Sequence, residues 1–400
     1  MIEIALIFVS FAIIVALVGM KKDINIALIS GAAVMLFYFA GSSIVDVIVK
    51  TVKDERTIFL LTTSFTISVL AELYKKTGAI SEFSRAMAAK IRSPKAILAL
   101  VPAVLGLLPI AGGALMSAPI VETIGSGIGM SQDLMIFLNV WFRHYLFLFY
   151  PMGQSIIVAS ATMGISPVEL GAIQIPIAAF MVTYGLLFTR KYKGSFNAEI
   201  TYKMGIWKSG GPMLIAIAAS LVLNYFVGNY GIPLGILLGI FTLLVSVKPG
   251  WGALGEALRS KMVLSLTLSA FSIMLLQHSI TDTRASEVIS EAIKSSSIPI
   301  IFLETIIPGI LSALTSSTVT GIVTVAPILS SLRQLTIFDA SIIYTSSFIS
   351  YTISPTHLCL IYTARYFNRG VGGSYKYMLP AAAFVLIFTI LYYFVLFPII

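Results

Sequence analysis

Apolar residues in this chain come in long unbroken runs, not in the alternating or 3.6-residue patterns of a soluble fold. A helical span needs about 20 mostly apolar residues. Ten runs qualify: 2–20, 24–41, 57–74, 134–150, 167–189, 211–228, 231–247, 262–279, 338–356 and 377–399. Two more apolar regions, 95–130 and 297–333, are interrupted near the middle by small or polar residues. Their halves are too short to cross, and each is read as a re-entrant hairpin that enters and leaves on one side. The runs do not alternate, which excludes a barrel, so helices must carry the spans. Two amphipathic stretches lie between spans and hairpins. In 79–92, Ile80, Phe83, Met87 and Ile91 share a face, with Glu82, Arg85, Lys90 and Arg92 elsewhere. In 283–295, Val288, Ile289, Ala292 and Ile293 oppose Arg284, Glu287, Glu291 and Lys294. Such helices lie in the membrane interface, either as connectors or as arms joining a scaffold to a moving core.

Composition agrees. The 400 residues are 58% hydrophobic and 11% charged, against about 25% charged in soluble domains, and the mean hydropathy is +0.98. The first 20 residues have no basic leader and carry Glu3, so they read as a retained span. The net charge of +9 fits basic cytoplasmic loops and no nucleic-acid partner. With the first loop inside, 19 Lys or Arg fall in cytoplasmic segments, six outside, and one, Arg143, within a span. That asymmetry places both termini outside and keeps both hairpins from being true crossings. The single cysteine, Cys359, excludes an internal disulfide. No Walker loop, HExxH or cysteine cluster is present, and "GSGIG" (125–129) lacks dinucleotide spacing. Three scattered histidines argue against a built zinc site. The expectation is a non-enzyme without cofactor or transition metal, driven by an ion gradient.

The chain divides into a first half (1–189), a cytoplasmic linker (190–210) and a second half (211–400). Each half repeats one order: two spans, an amphipathic stretch, a span, a second amphipathic stretch, a hairpin and two spans. Gly113, Ala118, Pro119 and Ile120 match Gly321, Ala326, Pro327 and Ile328, and Pro151 matches Pro355. Five crossings per half make the second copy inverted, a signature of secondary transporters. Thr315, Ser316, Ser317, Thr318, Thr320 and Gly321 form one expected tip; Pro109, Ala111, Gly112 and Gly113 form the other. "YPMGQ" (150–154) and "SPTH" (354–357) are expected to interrupt the fourth and ninth spans, so that four loops converge at mid-depth. Half-helix N-termini there favour anions and exposed carbonyls favour Na⁺.

The candidate substrate ligands are Gly112, Gly113, Arg143, His144, Gln154, Ser316, Ser317, Thr318, Thr320, Thr356 and His357. The candidate Na⁺ ligands are Ala111, Gly112, Pro151, Thr315, Ser316, Gly321 and Ser354. An ionisable residue inside a span is costly and usually functional. Arg143 either attracts a carboxylate or phosphate, or snorkels or pairs with Glu122 or Asp133, and His144 is a candidate proton carrier. Glu72 and Glu304 are proton carriers or structural groups, and His278 is interfacial.

This architecture resembles the ion-transporter superfamily, whose best-known members are sodium-coupled dicarboxylate carriers. Within it the segment "LPIAGGALMSAPIVE" (108–122) is most similar to the prokaryotic family called domain of unknown function 401. The carriers hold sodium and carboxylates with Ser-Asn-Thr at both tips; here the first tip reads "AGG" and the second "TSST", so only Ser316, Ser317 and Thr318 carry over. The resemblance implies an elevator motion and a homodimer. The sequence thus points to an all-α polytopic protein of the prokaryotic inner membrane, with ten transmembrane helices and two hairpins. Its expected role is secondary transport of a small organic anion coupled to Na⁺ or H⁺. A cation/proton antiporter without organic substrate and a lipid head-group transporter or scramblase remain open.

Overall fold

The structure is a computed structural model that describes residues 2–20, 22–91, 93–108, 113–192, 200–296 and 298–396. Among these residues there are helices and no strand. Seven helical runs are long and apolar enough to cross a membrane, or up to eight if one sharply bent pair counts as a span. The chain is an all-α, multi-pass membrane protein.

The helices in order are α1 (Ile2–Gly19), α2 (Ile24–Met35), α3 (Ile44–Lys53), α4 (Glu55–Thr77), α5 (Ala79–Lys90), α6 (Pro94–Gly106) and α7 (Ala114–Gly127). Next come α8 (Gln132–Phe149), α9 (Gln154–Met163), α10 (Pro167–Leu187), α11 (Ile206–Val227), α12 (Gly231–Val247) and α13 (Trp251–Leu258). The last are α14 (Lys261–Thr281), α15 (Ala285–Ser295), α16 (Ile300–Thr315), α17 (Thr318–Ser330), α18 (Ile337–Thr352), α19 (Leu358–Tyr366) and α20 (Gly372–Leu391). Every expected span has a helix, but not every one meets the length criterion. α1 has 18 residues and α18 has 16. α18 stops at Thr352 because the residue before Pro355 is biased out of the helical region and the chain opens ahead of it. α11 and α12 form one apolar run of 42 residues that folds back on itself at Gly228, whose φ of +63° suits glycine. The last expected span ends within 397–399, outside the described residues, as do residues 193–199 of the linker.

The two interruptions expected in the fourth and ninth spans are present. α8 ends at Phe149, Tyr150 is extended with ψ 106°, and α9 starts at Gln154. α18 gives way at Ile353, and α19 restarts after the extended His357. Both breaks follow from Pro151 and Pro355, which lack the N–H that a continuing helix requires. The hairpin regions are likewise paired short helices. α6 has 13 residues and α7 has 14; α16 has 16 and α17 has 13. At 1.5 Å per residue these reach only about 20–24 Å, short of the hydrocarbon core of about 30 Å.

The chain clusters into two compact units that interleave along the sequence and do not coincide with its two halves. One comprises Met1–Phe65, Gln154–Leu170 and Leu264–Ser354; the other comprises Thr66–Gly153, Gly171–Val263 and Pro355–Ile400. The chain passes between units at both proline breaks.

In the first unit, α16 and α17 pack on each other and on α18, and α9 packs on α17; α1 lies along α2, α15 and α16. A capping box of Thr336 and Asp339 starts α18. Arg333 donates to Asp339 (2.7 Å) and to Glu304 on α16 (3.1 Å), tying the hairpin base to α18. On α15, Val288 and Ile289 are buried and Arg284, Glu287, Glu291 and Lys294 exposed, as its pattern requires. Asp282, just past α14, pairs with Lys50 and His278, and Glu3 with Arg284. Burial raises the Asp282 carboxyl, but the hydrogen bonds from His278 and Lys50 outweigh it and leave its pKa below the ordinary value.

In the second unit, α6 and α7 pack on each other and on α8; α19 packs on α7 and α8, and α20 on α8. Ser93 caps α6 and Pro94 opens it, a favoured start. Gly106 allows α6 to rest on the backbone carbonyl of Arg143, where a Cβ has no room. An aromatic seam holds α8, α10 and α20 together, with Phe180 stacked on Phe388 at 4.3 Å and Phe137 against Phe188 and Tyr377. On α5, Glu82 is unexpectedly buried and accepts the backbone N–H groups of Lys203 and Met204.

The close approach at Gly106 yields a prediction. Gly106→Val will sharply lower the yield and apparent melting temperature in fluorescence-detected size exclusion. Gly127→Ala, where an added Cβ meets nothing within 4 Å, will leave both unchanged.

Candidate functional site

Two polar clusters form, one at each hairpin, in separate units. At the first hairpin the central residue is Arg143 on α8, 2% exposed. Its guanidinium lies against Gly113, at the start of α7, where a Cβ would collide with Nη2. Its Nε and Nη1 are buried and have no hydrogen-bond partner among the described residues. The two acids considered as structural partners are engaged elsewhere: Glu122 accepts from the Tyr366 hydroxyl (2.7 Å) and Asp133 from Lys376 (3.1 Å). A buried guanidinium without a carboxylate is expensive, and it is the strongest anion-seeking feature of this unit.

Beside it, His144 is fully buried, with Nδ1 2.6 Å from the carbonyl of Val140. Its ring meets that of His357 edge to face, centroids 4.8 Å apart. The Cys359 sulfur completes a trio whose donor atoms all lie within 4.8 Å of one another. Asn139, one turn before Arg143, cross-links the elements around them. Its Oδ1 accepts from Ser117 Oγ (2.6 Å), and its Nδ2 donates to the Ala114 carbonyl (2.9 Å) and to Thr363 Oγ1 (3.0 Å). One buried amide thus joins α7, α8 and α19.

At the second hairpin the turn is Ser316–Ser317. Ser316 is left-handed, φ 52° and ψ 41°, a conformation disfavoured for a side chain. Its hydroxyl pairs with Ser354 Oγ (2.8 Å), which donates to the Ala313 carbonyl (2.6 Å). Ser317 caps α17 by accepting from the N–H of Thr320 (3.3 Å). One turn further on, Gly321 faces Ser312 Oγ, Ser347 Oγ and the Pro308 carbonyl so closely that a Cβ would overlap all three. The hydroxyl oxygens of Ser312, Thr320, Thr324 and Ser347 are buried without a hydrogen-bond partner among the described residues. The hard oxygens that meet at Gly321, from Ser312, Ser347 and the Pro308 carbonyl, suit a small alkali cation.

The expected residues distribute as follows. Gly113, Arg143, His144 and His357 come together in one unit. Thr315, Ser316, Ser317, Thr318, Thr320, Gly321 and Ser354 gather at the second tip in the other, although the Thr315 hydroxyl is taken by the carbonyl of Leu311. Ala111 and Gly112 lie outside the described residues. Pro151 and Gln154 are half-buried and Thr356 is exposed. Glu72 sits 3.8 Å from Lys75, Glu304 is held by Arg333, and His278 pairs with Asp282 beside Asp54. Sequence reading did not anticipate Asn139, Ser312, Thr324, Ser347 or the placement of Cys359. Two signals were available: Asn139 stands four residues before Arg143 on one helix face, and Ser347 stands eight residues before Pro355, as Arg143 does before Pro151.

The whole length of this architecture, from residue 4 to residue 396, matches a single family model, described as Protein of unknown function (DUF401). The chain belongs to the DUF401 family. No curated protein matches it in sequence. Among solved structures, this DUF401 chain is similar to the crystal structure of the Alcanivorax borkumensis YdaH transporter, reported as having an unusual topology. The TM-score is 0.60 over 83% of each chain, at 13% sequence identity. At that identity the likeness is one of fold.

The Asn139 network predicts a stability effect. Asn139→Ala strands the buried hydroxyl of Thr363, leaves Ser117 only its bond to the Ala114 carbonyl, and will cost about 1–3 kcal/mol, read as a lower thermal midpoint. The double variant with Thr363→Val will cost less than the sum of the two singles, because both act on one contact.

Proposed function

We propose that this protein is a secondary active transporter of a small organic anion, coupled to Na⁺ or H⁺, in a prokaryotic inner membrane. The observation that carries the reading is Arg143: a buried guanidinium beside a hairpin, with Nε and Nη1 unpartnered among the described residues and both candidate acids engaged elsewhere. A protein retains such a charge where a ligand supplies the counter-charge. The N-terminus of α7, packed beside α8, adds partial positive charge.

The second cluster supports ion coupling. Its oxygens belong to hydroxyls and a carbonyl, with no formal charge, which suits Na⁺. Arg143 and Ser347 occupy equivalent places, each eight residues before the proline of its break. Each faces the matching glycine, Gly113 or Gly321. That correspondence supports two inverted repeats that have diverged, one toward the anion and the other toward the cation. Ten spans with both termini outside fit the charge asymmetry of the loops, and the YdaH fold, named for a transporter, favours the same class. An elevator motion and a homodimer belong to the reading through the resemblance of the architecture.

Uptake of labelled organic anions into proteoliposomes tests it. Wild-type uptake will collapse when the ion gradient is dissipated. Arg143→Ala will abolish uptake and Arg143→Lys will retain a fraction, since a point charge replaces a planar fork. If Na⁺ is the coupling ion, Gly321→Ala, which fills the hydroxyl nest, will raise the Na⁺ concentration for half-maximal uptake at least about tenfold, a loss of about 1.4 kcal/mol. Normal uptake by Arg143→Ala would overturn the anion role.

A further inference from the structure

We propose that His144, His357 and Cys359 form a binding site for a borderline-to-soft transition-metal ion of the Zn²⁺ class, with three protein ligands and a fourth position open to an exogenous ligand. The site does not depend on the transport reading.

Four observations carry it. The donor atoms, one from each residue, all lie within 4.8 Å of one another, near enough for small rotamer changes to bring them onto one ion at bond lengths of about 2.0–2.3 Å. The set of two imidazoles and one thiol is selective. Hard cations prefer oxygen, whereas nitrogen and thiolate sulfur suit zinc and its neighbours. The tautomer is set: with Nδ1 2.6 Å from the Val140 carbonyl, the neutral His144 ring donates there and presents the lone pair of Nε2. That is the outer-shell arrangement that orients metal-binding histidines. Finally, His357 is the N-cap of α19 and Cys359 lies in its first turn, so two of the three donors come from one short stretch of ordered backbone.

All three ligands are buried, at 0%, 1% and 7% exposure for His144, His357 and Cys359, so the site is shielded from competing water. It also joins separated parts of the chain, α8 and the break before α19, which gives a bound ion purchase on the same contacts that Asn139 makes. With one thiolate against a divalent ion and Arg143 alongside, the charge stays positive, so the open fourth position will favour an anionic ligand such as hydroxide or a carboxylate.

The test uses purified full-length protein in detergent, reduced and stripped with chelator, then titrated with Co²⁺ as a spectroscopic stand-in and with Zn²⁺. The expected result is one Co²⁺ per chain, visible d–d bands of low-coordinate geometry, and a near-ultraviolet thiolate-to-cobalt charge-transfer band that Zn²⁺ abolishes. Cys359→Ser will lose that band and weaken Zn²⁺ binding by at least about 100-fold, beyond the roughly 10–100-fold that loss of an outer-shell partner costs. Cys359→His, a competent nitrogen ligand, will recover Zn²⁺ binding without the band. His278→Ala, at the remaining histidine, will match wild type. Monodisperse size-exclusion profiles establish that the variants fold, and the Cys359→His result keeps the test decisive if Cys359→Ser does not. Wild-type Co²⁺ binding without a thiolate band, no binding at all, or equal Zn²⁺ affinity in wild type and Cys359→Ser would each overturn the proposal.

Discussion

A helix that breaks inside a bilayer releases N–H and C=O groups where no water waits to receive them, and most of the polar chemistry in this protein answers that one constraint. Pro151 and Pro355 force two such breaks, and the Ser316–Ser317 turn between α16 and α17 adds a third. The breaks therefore recruit side chains that carry hydrogen bonds: Ser354 returns to the carbonyl of Ala313, Ser317 caps α17, and Asn139 takes the carbonyl of Ala114. Small residues come with them, because close approach is what allows short helices to satisfy each other. Gly106 on the Arg143 carbonyl and Gly321 against Ser312 and Ser347 are the two clearest cases.

Once a polar interior exists, charge can be placed in it. Arg143 makes the surroundings of the first hairpin cationic, while the second hairpin stays neutral and rich in oxygen. The contrast lies at matching positions, Arg143 and Ser347, each eight residues before the proline of its break, of which only the first carries a charge. Asn139 and the aromatic seam hold α8, and with it the backbone of Arg143, against its neighbours.

Much of this was legible from sequence. Long apolar runs announced the spans, the two prolines announced the breaks, and the face patterns of 79–92 and 283–295 announced α5 and α15. What stayed hidden has a common cause: contacts between residues far apart in the chain. Cys359 was read only as excluding an internal disulfide, and three histidines looked scattered; yet His144 stands more than 200 residues from His357 and touches it in the fold. Glu82 read as a solvent-facing charge on an amphipathic helix, but its carboxylate gathers backbone donors from 203–204 and is buried. The length of α18 was misjudged by hydropathy, which does not see that Pro355 ends the helix before its apolar residues run out.

Ser316 shows what such a break demands of one residue. Glycine would adopt its left-handed backbone freely, whereas a side chain there gives up about 1–2 kcal/mol. The serine keeps a hydroxyl that clasps Ser354, and through it the carbonyl of Ala313. The tip is thereby tied through a pair of hydroxyls to the chain just past α18. A glycine in its place would shed the strain and lose the clasp together, so the serine trades backbone ease for a fixed orientation of the tip.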